Sequence, residues 1–295
     1  MEGIMCDKDT LQDIEEFERR TKLTRRTFGA VAAGAGLAML LPRAADAMDV
    51  TGADVNVTTP DGTADCYFVH PASGKHPSVL IWPDVFGLRP AFKQMGKRLA
   101  ESGYSVLVVN PYYRKMKAPI LPEGASFQDP KTREVVMPLM QAFTPAGEMS
   151  DAKAFAAWLD SQPSVDTSKK MGTTGYCMGG PFVFRTAAAL PDRVGGAATF
   201  HGAALVADGP DSPHLLIPKT KARFLIAIAE SDDMRQPEAK TVLKDGFAKA
   251  GLKAEVEVYK GTMHGWCPPD SQVYDKEQAE RAWSRLLATF KDALV

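Results

Sequence analysis

The chain has little cysteine, almost no excess charge and no long apolar run, and each shortage removes a class of function. Its four cysteines, Cys6, Cys66, Cys177 and Cys267, contain no Cys-x-x-Cys pair, which excludes a zinc ribbon and a disulfide-stapled scaffold. The five histidines make no His-Glu-x-x-His or other ligand cluster, so neither a metal nor another cofactor is expected. Formal net charge is −1, and residues 1–47 hold 7 of the 35 Lys and Arg and 8 of the 36 Asp and Glu, leaving the remainder neutral. A nucleic-acid partner needs a basic face, and none is expected here. Near the N-terminus an uncharged run, Phe28 to Leu41, spans about fourteen residues, short of the roughly twenty that cross a bilayer.

What remains is an ordinary globular composition, 45% hydrophobic and 24% charged over 295 residues, enough for one large domain with a well-buried core. The first fifty residues read as an address. Thr24-Arg25-Arg26-Thr27-Phe28 precedes the Ala- and Gly-rich uncharged run, then Pro42 and the small-x-small Ala45-Asp46-Ala47. Gly29, Gly34 and Gly36 would weaken any packed helix there. The pattern resembles a twin-arginine (Tat) export signal over residues 1–47. The expectation is a mature domain from 48 to 295 in the periplasm, with the Tat machinery as a partner. An uncleaved membrane anchor is the alternative.

From residue 50 the pattern alternates. Val55 to Thr58 and Ala64 to Val69 flank the turn Pro60-Asp61-Gly62 and predict an antiparallel hairpin. Ser78 to Trp82, Tyr104 to Val109, Gly196 to Phe200 and Arg223 to Ala229 are short apolar runs of the kind a strand buried on both faces shows. Ala254 to Tyr259 alternates and predicts a strand nearer an edge. Helical spacing covers Pro90 to Glu101, Ala146 to Ser161, Pro237 to Ala250 and Asp275 to Ala293. Pro111 to Phe143 has scattered proline and no period, and reads as a long loop with one short helix, a wall or lid over a pocket. The alternation predicts an α/β fold: a mostly parallel, doubly wound sheet with an antiparallel N-terminal hairpin and no second domain after residue 48. In such sheets ligands sit at the carboxyl ends of the strands.

Three post-strand positions carry chemistry. Gly175-Tyr176-Cys177-Met178-Gly179, with Gly180 following, stands where a strand (Lys169 to Thr174) should turn into a helix running to about Leu190. So sharp a turn strains the central residue and forbids bulk two positions either side. It lifts the sulfur above the sheet and aims a helix N-terminus at it, the arrangement of an α/β-hydrolase nucleophile elbow with Cys177 in place of serine. A free thiol, with a pKa of about 8.5, needs an imidazole to take its proton. His264, after the edge strand, is the candidate base. Asp232, after the Arg223–Ala229 strand, is the candidate acid that orients it, with neighbouring Asp233 as the alternative.

These residues carry a family likeness. Gly175-Tyr176-Cys177-Met178-Gly179-Gly180, Pro83-Asp84-Val85-Phe86-Gly87, Asp232 and Met263-His264-Gly265-Trp266 together resemble the dienelactone hydrolase family over essentially all of residues 50–295. The resemblance implies a Cys–Asp–His triad opening small ester or lactone bonds through an acyl-thioester. It implies an oxyanion hole from the backbone N–H groups of Met178 and Val85, each worth about 3 kcal/mol of barrier lowering. It places Asp84, one methylene shorter than the family's glutamate, beside the resting nucleophile, and Arg114 near a substrate-carboxylate clamp. A second clamp position is Pro268 here, so the substrate is read only as an ester or lactone. His201, after the Gly196–Phe200 strand, and Trp266 are further candidates to line the pocket. A broader carboxylesterase, an acyltransferase and a non-catalytic periplasmic binding protein are the competing functions. A Cys66–Cys267 bridge stays open, since the periplasm permits disulfides.

Overall fold

The structure, a computed structural model, describes Leu41 and residues 47–295, so the twin-arginine motif and the run after it as far as residue 40 lie outside the described residues. The hairpin turn forms at Gly62 (φ +137°), joining β1 (Val50–Thr59) to β2 (Gly62–Pro71) in an antiparallel ladder from Thr59↔Gly62 to Val50↔Pro71. Both strands extend beyond the sequence expectation, because β1 is largely exposed and its outer residues need no apolar pattern to pair through backbone.

The chain continues through β3 (Ser78–Trp82), α1 (Pro90–Glu101), β4 (Ser105–Val109), α2 (Pro130–Met140), α3 (Pro145–Asp160), β5 (Met171–Tyr176), α4 (Gly179–Ala189) and β6 (Val194–Phe200). A 3-10 turn at Pro213–Lys219 leads to β7 (Arg223–Ala229), α5 (Glu230–Arg235), α6 (Ala239–Lys249), β8 (Ala254–Tyr259) and α7 (Lys276–Ala293). Strand order in the 8-stranded sheet is β1-β2-β4-β3-β5-β6-β7-β8. Pairing is antiparallel at β1-β2 and β2-β4 and parallel from β4 to β8. Every residue of β3, β4 and β5 is buried, and β8 lies at the sheet's edge.

Alternate side chains of these strands feed two cores. Leu80, Trp82, Leu107, Val109, Phe224 and Ile226 pack with Phe155 of α3, Phe182 of α4 and Phe247 of α6 on one face. Val79, Ile81, Val106, Val108 and Leu225 pack with Phe92 and Leu99 of α1 and Leu286 and Phe290 of α7 on the other. Each such side chain, fully buried, is worth about 1.5–3 kcal/mol. The cysteines divide the same way. Cys66 belongs to the first core and Cys267 to the second, with the sheet between them. Both are thiols without a disulfide, so the bridge left open above does not form.

Two stretches depart from expectation. The segment 111–143 carries a helix of 11 residues, α2, rather than only a short one. Pro130 occupies its first turn and Asp129 accepts from the Lys131 N–H, while Pro138 inside the helix spoils the periodic signal. Helix also starts earlier after β7: Glu230–Arg235 forms α5, and α6 begins at Ala239. Among the described residues no helix is long and apolar enough to cross a membrane.

One side-chain bond ties the central strand β3 to α4: Trp82 Nε1 donates to Thr186 Oγ1 at 3.0 Å, and that hydroxyl donates to the Phe182 carbonyl at 2.7 Å. Both side chains are almost wholly buried. Thr186→Val keeps the shape but leaves the indole N–H without a partner, and is expected to cost about 1–3 kcal/mol in urea unfolding. No change in the midpoint would refute that role.

Candidate active site

The sharp turn after β5 is where the sequence rule acquires atoms. Cys177 has φ +50°, a left-handed conformation that costs a non-glycine residue about 1–3 kcal/mol. The turn is held by its own backbone: Cys177 N–H donates to Phe200 O at 3.1 Å, and Cys177 O accepts from Gly180 N at 2.9 Å and Ala203 N at 3.0 Å. A Cβ on Gly175 would lie 2.1 Å from Gly179 O, and one on Gly179 2.4 Å from Trp82 O. On Gly180 it would lie 2.6 Å from the Gly202 Cα. All three glycines are therefore demanded by contact with neighbouring backbone. The Cys177 side chain is buried at the carboxyl end of β5, at the start of α4.

Val85 and Met178 stand on either side of this turn, one after β3 and the other at the N-cap of α4. Among the described residues neither backbone N–H is taken by an acceptor, although both residues are buried. Buried N–H groups are normally paired, so two without a protein acceptor stand out.

The two neighbouring aspartates face different partners. His264 Nδ1 lies 2.9 Å from both Oδ1 and Oδ2 of Asp232. Asp233 points elsewhere, to Lys240 Nζ at 2.7 and 2.8 Å. Asp232 also accepts from Arg235 Nη2 at 2.8 Å, a partner legible only once Glu230–Arg235 is known to be helical and the two lie three apart on one face. The loops carrying acid and base are stitched together: His264 N–H donates to Ser231 Oγ at 2.9 Å, and Gly261 N–H to Glu230 Oε2 at 3.1 Å.

The four residues expected to bind substrate have the following neighbours. Asp84 Oδ1 accepts from Phe86 N at 2.9 Å, and both carboxylate oxygens bind Arg89, at 2.6 and 2.9 Å. Arg89, which sequence reasoning missed, spends all five N–H donors on Asp84, Asp270 and the Gly87 carbonyl. It clamps the loop after β3 to the loop after His264, and no local pattern announces a pairing between residues 181 apart. The Arg114 guanidinium holds Asp61 at the hairpin tip and Asp151 on α3. Trp266 is wholly buried, stacked on Tyr259 with centroids 5.3 Å apart. His201 is wholly buried too, its ring 5.1 Å from those of both His264 and Trp266. Both rings are buried beside His264, with His201 at the left-handed turn after β6 (φ +40°).

Electrostatics separates the thiols and histidines. Burial pushes the Cys66 and Cys267 thiols well up, which makes them inert. Burial, with His264 alongside, holds His201 well below the usual histidine range, so it stays neutral. Among the described residues no group of three or more His, Cys, Asp or Glu could hold a metal ion.

The His201 shift has a signed consequence. Below about pH 6.5 the unfolded chain takes a proton there and the folded chain does not, so its contribution to stability is present above that pH and lost as pH falls. As pH falls from 7.5 to 5, wild type should lose stability relative to His201→Phe, measured by urea unfolding of both at each pH. A constant difference would contradict a neutral buried imidazole.

The dienelactone hydrolase family is matched over residues 64–294. A putative carboxymethylenebutenolidase of Methylorubrum extorquens is 26% identical over 291 residues, covering 95% of this chain and 96% of its own. The carboxymethylenebutenolidase of Pseudomonas putida is 25% identical over 218 residues, 74% of this chain and 86% of its own. A putative dienelactone hydrolase from Klebsiella pneumoniae superposes with a TM-score of 0.70 at 20% identity, over 82% of this chain and 99% of that one, a likeness of fold. With the elbow after β5 and a sheet of this topology, the chain is an α/β-hydrolase, and it belongs to the dienelactone hydrolase family.

Proposed function

We propose that this hydrolase cleaves small ester or lactone bonds through an acyl-thioester on Cys177. The observation that carries the reading is the left-handed turn at Cys177 flanked by the unengaged N–H groups of Val85 and Met178. Asp232 at 2.9 Å from His264 Nδ1 supports the rest: it fixes the tautomer and leaves Nε2 as the nitrogen that exchanges protons. Cys177 Sγ attacks the carbonyl carbon as His264 takes the thiol proton, and the oxyanion is met by the two N–H groups. Collapse breaks the ester C–O bond, and His264 returns the proton to the leaving alkoxide. Water then attacks the thioester, giving up its proton to His264, and the acid departs as the thiol is restored. No cofactor enters.

Arg114 is committed to two carboxylates and Pro268 carries no charge, so the reading stays at the level of the ester or lactone bond. Residues 1–47 are proposed as the Tat signal that delivers residues 48–295 to the periplasm, on the strength of Arg25-Arg26 and Ala45-Asp46-Ala47. N-terminal sequencing of exported protein should begin near Met48, and retention of Arg25-Arg26 would overturn it.

Mature protein should turn over p-nitrophenyl acetate, and a dienelactone if the narrow family substrate applies. Cys177→Ala should lower kcat/KM by about 10⁴-fold or more, and Asp232→Asn by roughly 10³–10⁴-fold. Asp233→Asn, which loses only the Lys240 contact, should stay within about twofold. Turnover surviving Cys177→Ala would remove the mechanism, and equal losses at 232 and 233 would remove the assignment of the acid.

A further inference from the structure

We infer that Tyr112 is a positioning residue that fixes the two oxyanion donors relative to one another. The inference rests on the reading above, in which Val85 and Met178 supply those donors. They come from different segments, one after β3 and one after β5, and a developing oxyanion is stabilised only where both N–H groups converge within a few tenths of an ångström. Tyr112, from the loop after β4, touches both residues. Its hydroxyl donates to the Val85 carbonyl at 2.8 Å and lies 3.1 Å from Met178 Sδ. The one proton goes to the carbonyl; the sulfur rests against the phenol oxygen.

The phenol is itself held on every side, which is what a brace requires. Its ring stacks on Phe143 with centroids 5.2 Å apart and planes at 29°, and Phe143 in turn meets Phe182 of α4 edge-on at 5.1 Å. Gly87 lies against the same ring: at φ +71°, a Cβ there would sit 3.3 Å from Tyr112 Cδ2. The backbone is anchored as well, with Tyr112 N–H donating to Asn110 Oδ1 at 3.0 Å and Asn110 Nδ2 donating to Asp65 Oδ1 at 2.9 Å. A buried Tyr hydroxyl needs a partner; the partners here are the two residues whose N–H groups the reading above assigns to the oxyanion. A carbonyl held from behind fixes its own residue's peptide orientation, and a displaced donor loses its contribution without any loss of binding surface.

The test separates acyl transfer, which forms an oxyanion, from alkylation of the same sulfur, which does not. In mature Tyr112→Phe, single-turnover acylation by p-nitrophenyl acetate should fall about 10- to 100-fold, with KM and the rate of Cys177 alkylation by iodoacetamide each within about twofold of wild type. Unchanged acylation overturns the inference, as does a parallel fall in both rates, which would mean that the phenol upholds the fold or the thiol. If Tyr112→Phe does not fold, Phe143→Leu, which unseats the ring but keeps the hydroxyl, should give a smaller loss confined to acylation; a proportional loss or none refutes the proposal. Turnover that survives Cys177→Ala in the parent removes the thioester reading and this inference together, whereas Cys177-dependent turnover indifferent to Tyr112→Phe removes the inference alone.

Discussion

The tight turn at Cys177 is the constraint on which the rest depends. A left-handed residue between strand and helix is unfavourable by itself, and it persists because its surroundings leave no alternative. The parallel ladders of β5 with β3 and β6 bring Trp82 O, Phe200 O and the Gly202 backbone against the turn. Three glycines then close the gaps that any Cβ would fill. The same contacts that impose strain set the thiol at the sheet's carboxyl edge, so the stability of the central strands is spent on the placement of one sulfur atom.

Charged side chains at that edge act chiefly as braces. Arg89 joins Asp84 to Asp270, Arg114 joins Asp61 to Asp151, and Arg235 and Lys240 take the adjacent aspartates 232 and 233 in different directions. Buried or half-buried ion pairs of this kind add little net stability after desolvation, but breaking one leaves a charge without its partner. Their effect is geometric: they lock loops that share no secondary structure. Mobile loops would blur the relative positions of Val85 and His264, which these pairs hold fixed.

Much of the fold was legible because it follows local rules. The apolar runs at 78–82 and 223–229 became β3 and β7 without adjustment, and Pro90–Glu101 became α1, since burial on both faces and helical spacing leave clear periodic traces. The helix at 130–140 was obscured by Pro138, whose missing N–H is tolerated in a helix that packs only part of its surface. At the site, Cys177, Asp232 and His264 follow β5, β7 and β8 as the strand pattern expects, while the ion-pair partners of Asp84 and Arg114 and the stacking of Trp266 leave no local trace in the sequence. A motif tells where a side chain starts, but not which neighbour claims it.

The sequence by itself determined the elbow and the order of its partners. Gly-x-Cys-x-Gly-Gly is a statement about backbone volume, and volume is local to the turn. It also determined that a carboxylate from 232 or 233 and the imidazole at 264 would arrive at the same edge, because parallel strands deliver their ends to one side. The tertiary structure decided which carboxylate meets the imidazole, that Cys66 and Cys267 lie on opposite faces of the sheet, and that Arg89 and Tyr112 tie together loops far apart in the chain. Those outcomes depend on direction and distance across the sheet, which register and packing set and which no local pattern of residues encodes.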